Sequence, residues 1–145
     1  MNQKIYVTPL KIINTFGGNV MHAMKKEDKG YGGFGEAYFS LAEYGAIKAW
    51  KRHRKMTLNI IVPVGEIRFV LFDNRLKHDQ RIKEVILSKN NYLRLTIPPM
   101  IWVGFQGLSM EESMLLNIAD IMHDASEADK KDVEEIKFNW EIKNK

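Results

Sequence analysis

The sequence contains no cysteine. That absence removes disulfides, thiolate metal ligands and a cysteine nucleophile, and several enzyme classes with them. Proline is scarce, with 4 residues in 145, and two of these stand together at 98 and 99. No apolar run approaches the roughly 18 residues that a membrane span needs. The opening M-N-Q-K-I-Y-V-T-P-L lacks the apolar core and the small-residue cleavage site of a signal peptide. A cytoplasmic location with no membrane partner is therefore expected. Convincing long helices are also missing. The best helical candidate, 124–135 (D-A-S-E-A-D-K-K-D-V-E-E), carries charge pairs but almost no apolar face. One or two solvated turns and a plain polar loop fit it equally.

What is present is a succession of short β-branched and aromatic runs punctuated by Gly, Pro and Asn. The pattern predicts strands near 3–7, 11–14, 19–23, 35–43, 45–53, 58–63, 66–72, 82–87, 92–97, 101–105, 113–118 and 136–142. Many short antiparallel strands in a chain of this size define an all-β class, a two-sheet sandwich or jelly roll, with residues 1–145 forming a single domain. Gly65, between N-I-I-V-P-V and I-R-F-V-L-F, is expected to make a hairpin between neighbouring strands. The glycine-rich K-G-Y-G-G-F-G-E at 29–36 lacks the strand-before, helix-after setting of a nucleotide loop and is read as a flexible approach to a strand.

Charge is nearly balanced, 22 Lys and Arg against 18 Asp and Glu, but it is unevenly distributed. Basic residues gather at 48–55 and 75–83, and acidic ones after 110. A local positive patch on a balanced protein suits one anionic small molecule better than a polymer. The patch has no interleaved aromatic platform, so no nucleic-acid partner is expected.

The run I-K-A-W-K-R-H-R-K at 47–55 concentrates the question. Simple strand alternation puts Ile47, Ala49, Lys51 and His53 on one face and Lys48, Trp50 and Arg52 on the other. If the face of Ile47 and Ala49 is inward, Lys51 and His53 are carried toward a cavity between the sheets. Otherwise 51–55 is a solvated loop. A lysine held among other cations and away from water gives up its proton more readily, which is how lysine becomes a base. The same cations can instead stay charged and hold a diphosphate. A metal centre in such a sandwich would need an H-x-H pair with a carboxylate close behind and a further histidine. Lys51 fills the first histidine slot, Glu66 falls beyond a turn and His123 alone cannot complete a site, so no metal is expected.

The blocks F-G-E-A-Y-F-S, G-A-I-K-A-W-K-R-H-R-K-M-T-L-N-I-I-V-P-V-G-E, Y-L-R-L-T-I-P-P-M-I-W-V-G-F, N-I-A-D-I-M-H-D and a closing F-N-W-E follow one another over roughly 3–142. In that order they resemble the dTDP-4-dehydrorhamnose 3,5-epimerase family, and a short, divergent branch of it associated with sugar-nucleotide gene clusters. The resemblance implies a jelly-roll cupin, usually a homodimer, that needs no cofactor and acts on a nucleotide-diphosphate sugar with a 4-keto-6-deoxy ring. It also implies a place in deoxysugar or cell-surface polysaccharide biosynthesis. The chemistry would be removal of a proton next to the ketone and reprotonation from the other face. The family's catalytic histidine falls on Lys51 and its arginine on Lys48. The histidine of its I-P-x-G-x-x-H-G-F block is replaced by Val103, and its proton-donating tyrosine falls at or beside Met122.

Two outcomes follow from those departures. Lys51 takes over as base with His53 or His123 as acid, or the chain binds a sugar nucleotide without turning it over. The expected substrate contacts are Lys48, Tyr38, Asn59, Trp102 and Asn117. Tyr38 either faces a sugar or fills a dimer interface, Trp102 either packs or stacks on a ring, and Asn59 either braces the site or touches substrate. His22 and His78 stand alone and are read as surface or satisfied residues, and Trp50 and Trp140 as packing.

Overall fold

The computed structural model describes residues 4–143. Its strands are β1 (Tyr6–Pro9), β2 (Ile12–Ile13), β3 (Val20–Met21), β4 (Glu36–Ala42), β5 (Ile47–His53), β6 (Leu58–Val64), β7 (Glu66–Phe72), β8 (Ile82–Ser88), β9 (Leu93–Ile97), β10 (Trp102–Gly107), β11 (Ser113–Ala119) and β12 (Ala128–Lys130). Three single 3-10 turns, at His78–Gln80, Ala125–Glu127 and Val133–Glu135, are the helical content among the described residues. No helix there is long and apolar enough to cross a membrane.

Two five-stranded antiparallel sheets face each other, in the orders β1-β9-β6-β11-β4 and β12-β5-β10-β7-β8, with β2 and β3 as a small separate hairpin. This is the all-β jelly-roll sandwich that the strand pattern predicts. The core between the sheets is made by the inward rows Leu58, Ile60 and Val62 of β6, Ile67, Phe69 and Leu71 of β7, Leu95 and Ile97 of β9, and Leu115 and Ala119 of β11. Burying side chains of this size contributes about 1.5–3 kcal/mol each.

Both sheets are also covered on part of their outer faces, which is why β6 and β7 read as continuous apolar runs. The glycine-rich segment lies over the first sheet, and it is pinned where the sequence suggested flexibility. The buried Arg94 guanidinium donates to the carbonyls of Ala23 (2.9 Å) and Lys29 (3.0 Å), and Asn59 Nδ2 donates to the carbonyl of Gly30 (3.0 Å). Gly30 has φ +98° and its α-carbon sits so close that a Cβ would come within 2.8 Å of the Tyr6 hydroxyl.

Residues 136–142, expected as a strand, form an irregular strap over the second sheet. Ile136, Phe138 and Trp140 pack there against Trp50, Val70, Phe72 and Trp102. Arg68 latches the strap by donating to the carbonyls of Trp140 (3.0 Å) and Glu141 (3.3 Å). The apolar residues at 136, 138 and 140 alternate as a strand's do, but their backbone finds no ladder partner. The edge is taken by β12, three residues inside the acidic run that the sequence left as loop or helix.

The hairpin expected at Gly65 is not formed. Gly65 has the positive φ (+80°) that its place implies, yet β6 and β7 belong to different sheets and the chain crosses between them there. Two consecutive apolar runs can pair or face each other, and periodicity does not distinguish the two. The strand expected at 3–7 is observed from Tyr6, and Gln3 lies outside the described residues.

Candidate active site

Between the sheets, walled by β5, β10 and β12 on one side and β4, β6 and β11 on the other, is an open-ended cavity of about 310 Å³. Its apolar floor is Leu58, Ile60, Val103, Phe105 and Leu115, and its polar groups are Tyr38, Ser40, Lys48, Lys51, His53, Asn117 and Lys130. Such a cleft, mostly apolar with a few convergent polar groups, has the usual make-up of a small-molecule site.

The basic run reaches this cavity through an irregularity that simple alternation does not show. Between the pairs Ala49↔Gly104 and Lys51↔Val103 the register shifts, and Trp50 is the extra residue of a β-bulge. Residues on the two sides of the bulge therefore follow opposite parity. Lys48, opposite Phe105, shares the inner face with Lys51 and His53, whereas Ile47 and Ala49 lie opposite Gln106 and Gly104 and are turned outward. The expected grouping of Ile47 and Ala49 with Lys51 is thus corrected, and Lys48 is moved into the cavity wall.

The two arginines of the run are neutralised elsewhere. Arg52 Nε and Nη2 donate to Asp129 Oδ2 at 3.0 and 2.8 Å, and Arg54 also pairs with Asp129. These hydrogen bonds, that of Arg52 foremost, hold the Asp129 carboxyl below its usual range.

His53 is buried, and its Nδ1 is hydrogen-bonded to Oε1 of Glu127, itself buried. The second carboxylate oxygen, Oε2, accepts from the backbone amides of Lys55 (3.0 Å) and Met56 (3.3 Å). Burial alone would push this carboxyl up. The His53 ring hydrogen bond and the two amides outweigh burial, and the group is held below the usual glutamate range. Glu127 is therefore a carboxylate at neutral pH and fixes the Nδ1–H tautomer. With Nδ1 turned to that carboxylate, Nε2 is the ring nitrogen left for a bound molecule.

Across the cavity, Asn117 and Tyr38 are paired in register on β11 and β4. Asn117 Oδ1 accepts from the backbone amide of Asn59 (3.1 Å), which directs its Nδ2 to donate to the Tyr38 hydroxyl oxygen (3.1 Å). The hydroxyl's own proton is not used in that bond, so it is free to be given to a bound molecule. Lys48 Nζ donates to the Leu41 carbonyl (2.8 Å) and lies 5.7 Å from the centre of the Phe105 ring.

The structure thus brings Lys48, Lys51, His53, Tyr38 and Asn117 together. It places three other candidates elsewhere. His123 is exposed in the loop after β11 and does not line the cavity. Trp102 is buried in the outer cluster beneath the strap, with Arg52 4.6 Å and Lys131 5.2 Å from its ring centre. Asn59 faces the glycine-rich segment, where its Oδ1 accepts from Thr96 Oγ1 at 2.7 Å. Met122, where the resemblance puts the family's tyrosine, is exposed and also outside the cavity. The sequence reading missed Glu127, Ser40 and Lys130. Glu127 lies 74 positions beyond its histidine, inside a run of acids, and nothing in composition marks one of them as buried. Among the described residues no three His, Cys, Asp or Glu side chains are grouped to hold a metal ion.

A jelly roll of cupin type with a cationic cavity, a carboxylate-backed histidine on one wall and a tyrosine on the other defines a class: sandwiches equipped to move protons on a small anionic molecule. Comparison with known proteins narrows it. A dTDP-sugar isomerase from Desulfovibrio desulfuricans G20 superposes with a TM-score of 0.87 at 36% identity, over 94% of this chain and 90% of that one. The chain belongs to the family of that dTDP-sugar isomerase. A curated relative, the probable low-salt glycan biosynthesis epimerase Agl13 of Haloferax volcanii, is 25% identical over 96 residues, covering 64% of this chain and 62% of its own length. The 3,4-ketoisomerase QdtA of Thermoanaerobacterium thermosaccharolyticum, solved as a mutant in complex with TDP-4-keto-6-deoxyglucose, shares the fold with a TM-score of 0.75 at 17% identity, over 90% of each chain. No protein-family model matches the chain.

Proposed function

We propose that this protein is an isomerase of a nucleotide-linked 4-keto-6-deoxy sugar, an epimerase or ketoisomerase serving polysaccharide or glycan biosynthesis. The observation that carries the reading is the His53–Glu127 pair set into the wall of a cationic cavity opposite Tyr38. Family membership and the substrates named for its relatives support the same class.

The mechanism follows from the side chains. The ketone acidifies the neighbouring C–H. His53 Nε2 takes that proton, and Glu127 stabilises the imidazolium through Nδ1–H. The enolate that forms has its charge on the former ketone oxygen, and Lys48, a cation lining the cavity, supplies the positive charge that stabilises it. Tyr38, on the opposite sheet, returns a proton from the other face, and the centre is inverted. This assigns the base to His53 and the acid to Tyr38, in place of the Lys51 base and the His53 or His123 acid expected from sequence. A homodimer and a cytoplasmic location go with this reading. The exposed Phe39 and Leu41 of the edge strand β4 support association with a second copy.

The test is proton exchange in deuterated water with TDP-4-keto-6-deoxyglucose, followed by NMR. Deuterium is expected at a carbon adjacent to the ketone, and His53→Asn should reduce its incorporation about 100-fold or more. Absence of exchange with thymidine-, guanosine- and cytidine-linked 4-keto sugars would leave binding without turnover as the function.

A further inference from the structure

β12 and β5 are antiparallel neighbours, and in their register Lys130 stands directly opposite Lys51. Opposed residues on a ladder have Cβ atoms about 5 Å apart, and like charges there destabilise the pair. Both lysines line the cavity, and no Asp or Glu lines it with them. The nearby carboxylates are committed: Asp129 to Arg52 and Arg54, and Glu127 to His53 and two backbone amides. Neither lysine forms an ion pair or side-chain hydrogen bond with any of the described residues, whereas Lys48 has the Leu41 carbonyl and the Phe105 ring. Two facing ammonium groups on the edge wall of a cavity therefore lack a counter-charge from the protein itself.

We propose that Lys51 and Lys130 form a clamp for the diphosphate of the substrate, with the anion supplying the charge that the ladder lacks. This rests on the reading that the cavity takes a nucleotide-linked sugar. It makes Lys51 a binding group where sequence suggested a base, and it gives Lys130 a role that only the strand register reveals. The exposed edge position of Lys130 and the half-buried one of Lys51 place the clamp toward solvent, on the side where a nucleoside outside the cavity would leave.

Thymidine 5′-diphosphate and thymidine are the probes, titrated against the full-length protein by calorimetry and, for thymidine, by NMR at millimolar concentration. Lys130→Ala is expected to weaken the diphosphate about tenfold or more and leave thymidine unchanged, and Lys130→Arg to keep most of the affinity. In exchange kinetics Lys130→Ala should raise KM with kcat within about threefold of wild type. The unliganded Lys130→Ala protein should melt no lower than wild type, since a repulsion has been removed. Diphosphate affinity within twofold of wild type, an equal loss for both probes, or a fall in kcat at unchanged KM would each overturn the clamp. The catalytic reading fails separately: diphosphate binding that depends on Lys130, with no exchange on any keto sugar, keeps the clamp and removes the isomerase.

Discussion

At the scale of single residues, the proposed chemistry turns on a histidine that the sequence offers and a glutamate that it hides. His53 is conspicuous in K-R-H-R-K, but simple alternation sent it inward together with Ile47 and Ala49, and the bulge turns those two outward while His53 keeps the inner face. Glu127 stands among D-A-S-E-A-D-K-K-D, where its neighbours are exposed or engaged at the surface, and only the pairing of β12 with β5 singles it out. Its role is to position the His53 ring, which gives a test that a purely structural part would fail. Glu127→Gln should lower kcat of exchange about tenfold to 100-fold while KM stays within about twofold, because the amide still fills the space but no longer stabilises the imidazolium. Tyr38→Phe should abolish inversion but leave base-side exchange measurable, since the proton donor is lost and the base is not. Exchange that vanished in both variants would take Tyr38 out of the acid role.

At the scale of elements, most strand positions were legible in the sequence, with β12 and the strap at 136–142 as the exceptions, and their partners were not. Period-two alternation reports that a residue changes face, but it does not say where the count is broken. The bulge at Trp50 reverses the parity of Lys48, and no residue type at 49–51 announces it. Gly65 was legible as a positive-φ residue, yet whether the chain turns back beside itself or crosses to the facing sheet depends on strands far away in sequence. Its cost can be measured. A Cβ at Gly65 would lie 2.2 Å from Ser113 Oγ, on a backbone at φ +80°, so Gly65→Ala should destabilise by about 2 kcal/mol or more in urea unfolding. A loss below about 0.5 kcal/mol would mean that the crossing relaxes freely.

At the scale of the whole molecule, the carboxylates whose pKa is depressed in the folded state set its response to pH. The carboxyls of Asp73 (through the Arg75 hydrogen bond), Asp129 (through Arg52), Asp28 (through the Lys25 amide) and Asp124 (through the Ser126 hydroxyl) all lie below their usual range, as does Glu127. A group depressed in the folded state stabilises above its unfolded pKa and loses that contribution as pH falls through its folded value. The urea midpoint should therefore be flat from neutrality to about pH 5 and drop below about pH 4, less steeply in Asp129→Asn. The strap matters at the same scale. Trp140→Ala should cost about 3 kcal/mol and red-shift tryptophan fluorescence as Trp50 and Trp102 are uncovered. Residues 131–133, which lead into the strap, do something that stability alone does not describe. Trp50, the bulge residue, exchanges backbone hydrogen bonds with Lys131 at 3.0 and 3.1 Å and donates its indole N–H to the Val133 carbonyl at 2.9 Å. The outer coat thus grips the one residue whose extra place in β5 decides how far Lys48 stands from Lys51 inside. Substitutions at 131–133 lie outside the cavity, and they are expected to shift the spacing of the charges inside it. To change what this cavity accepts, the first positions to vary lie on the far side of the sheet.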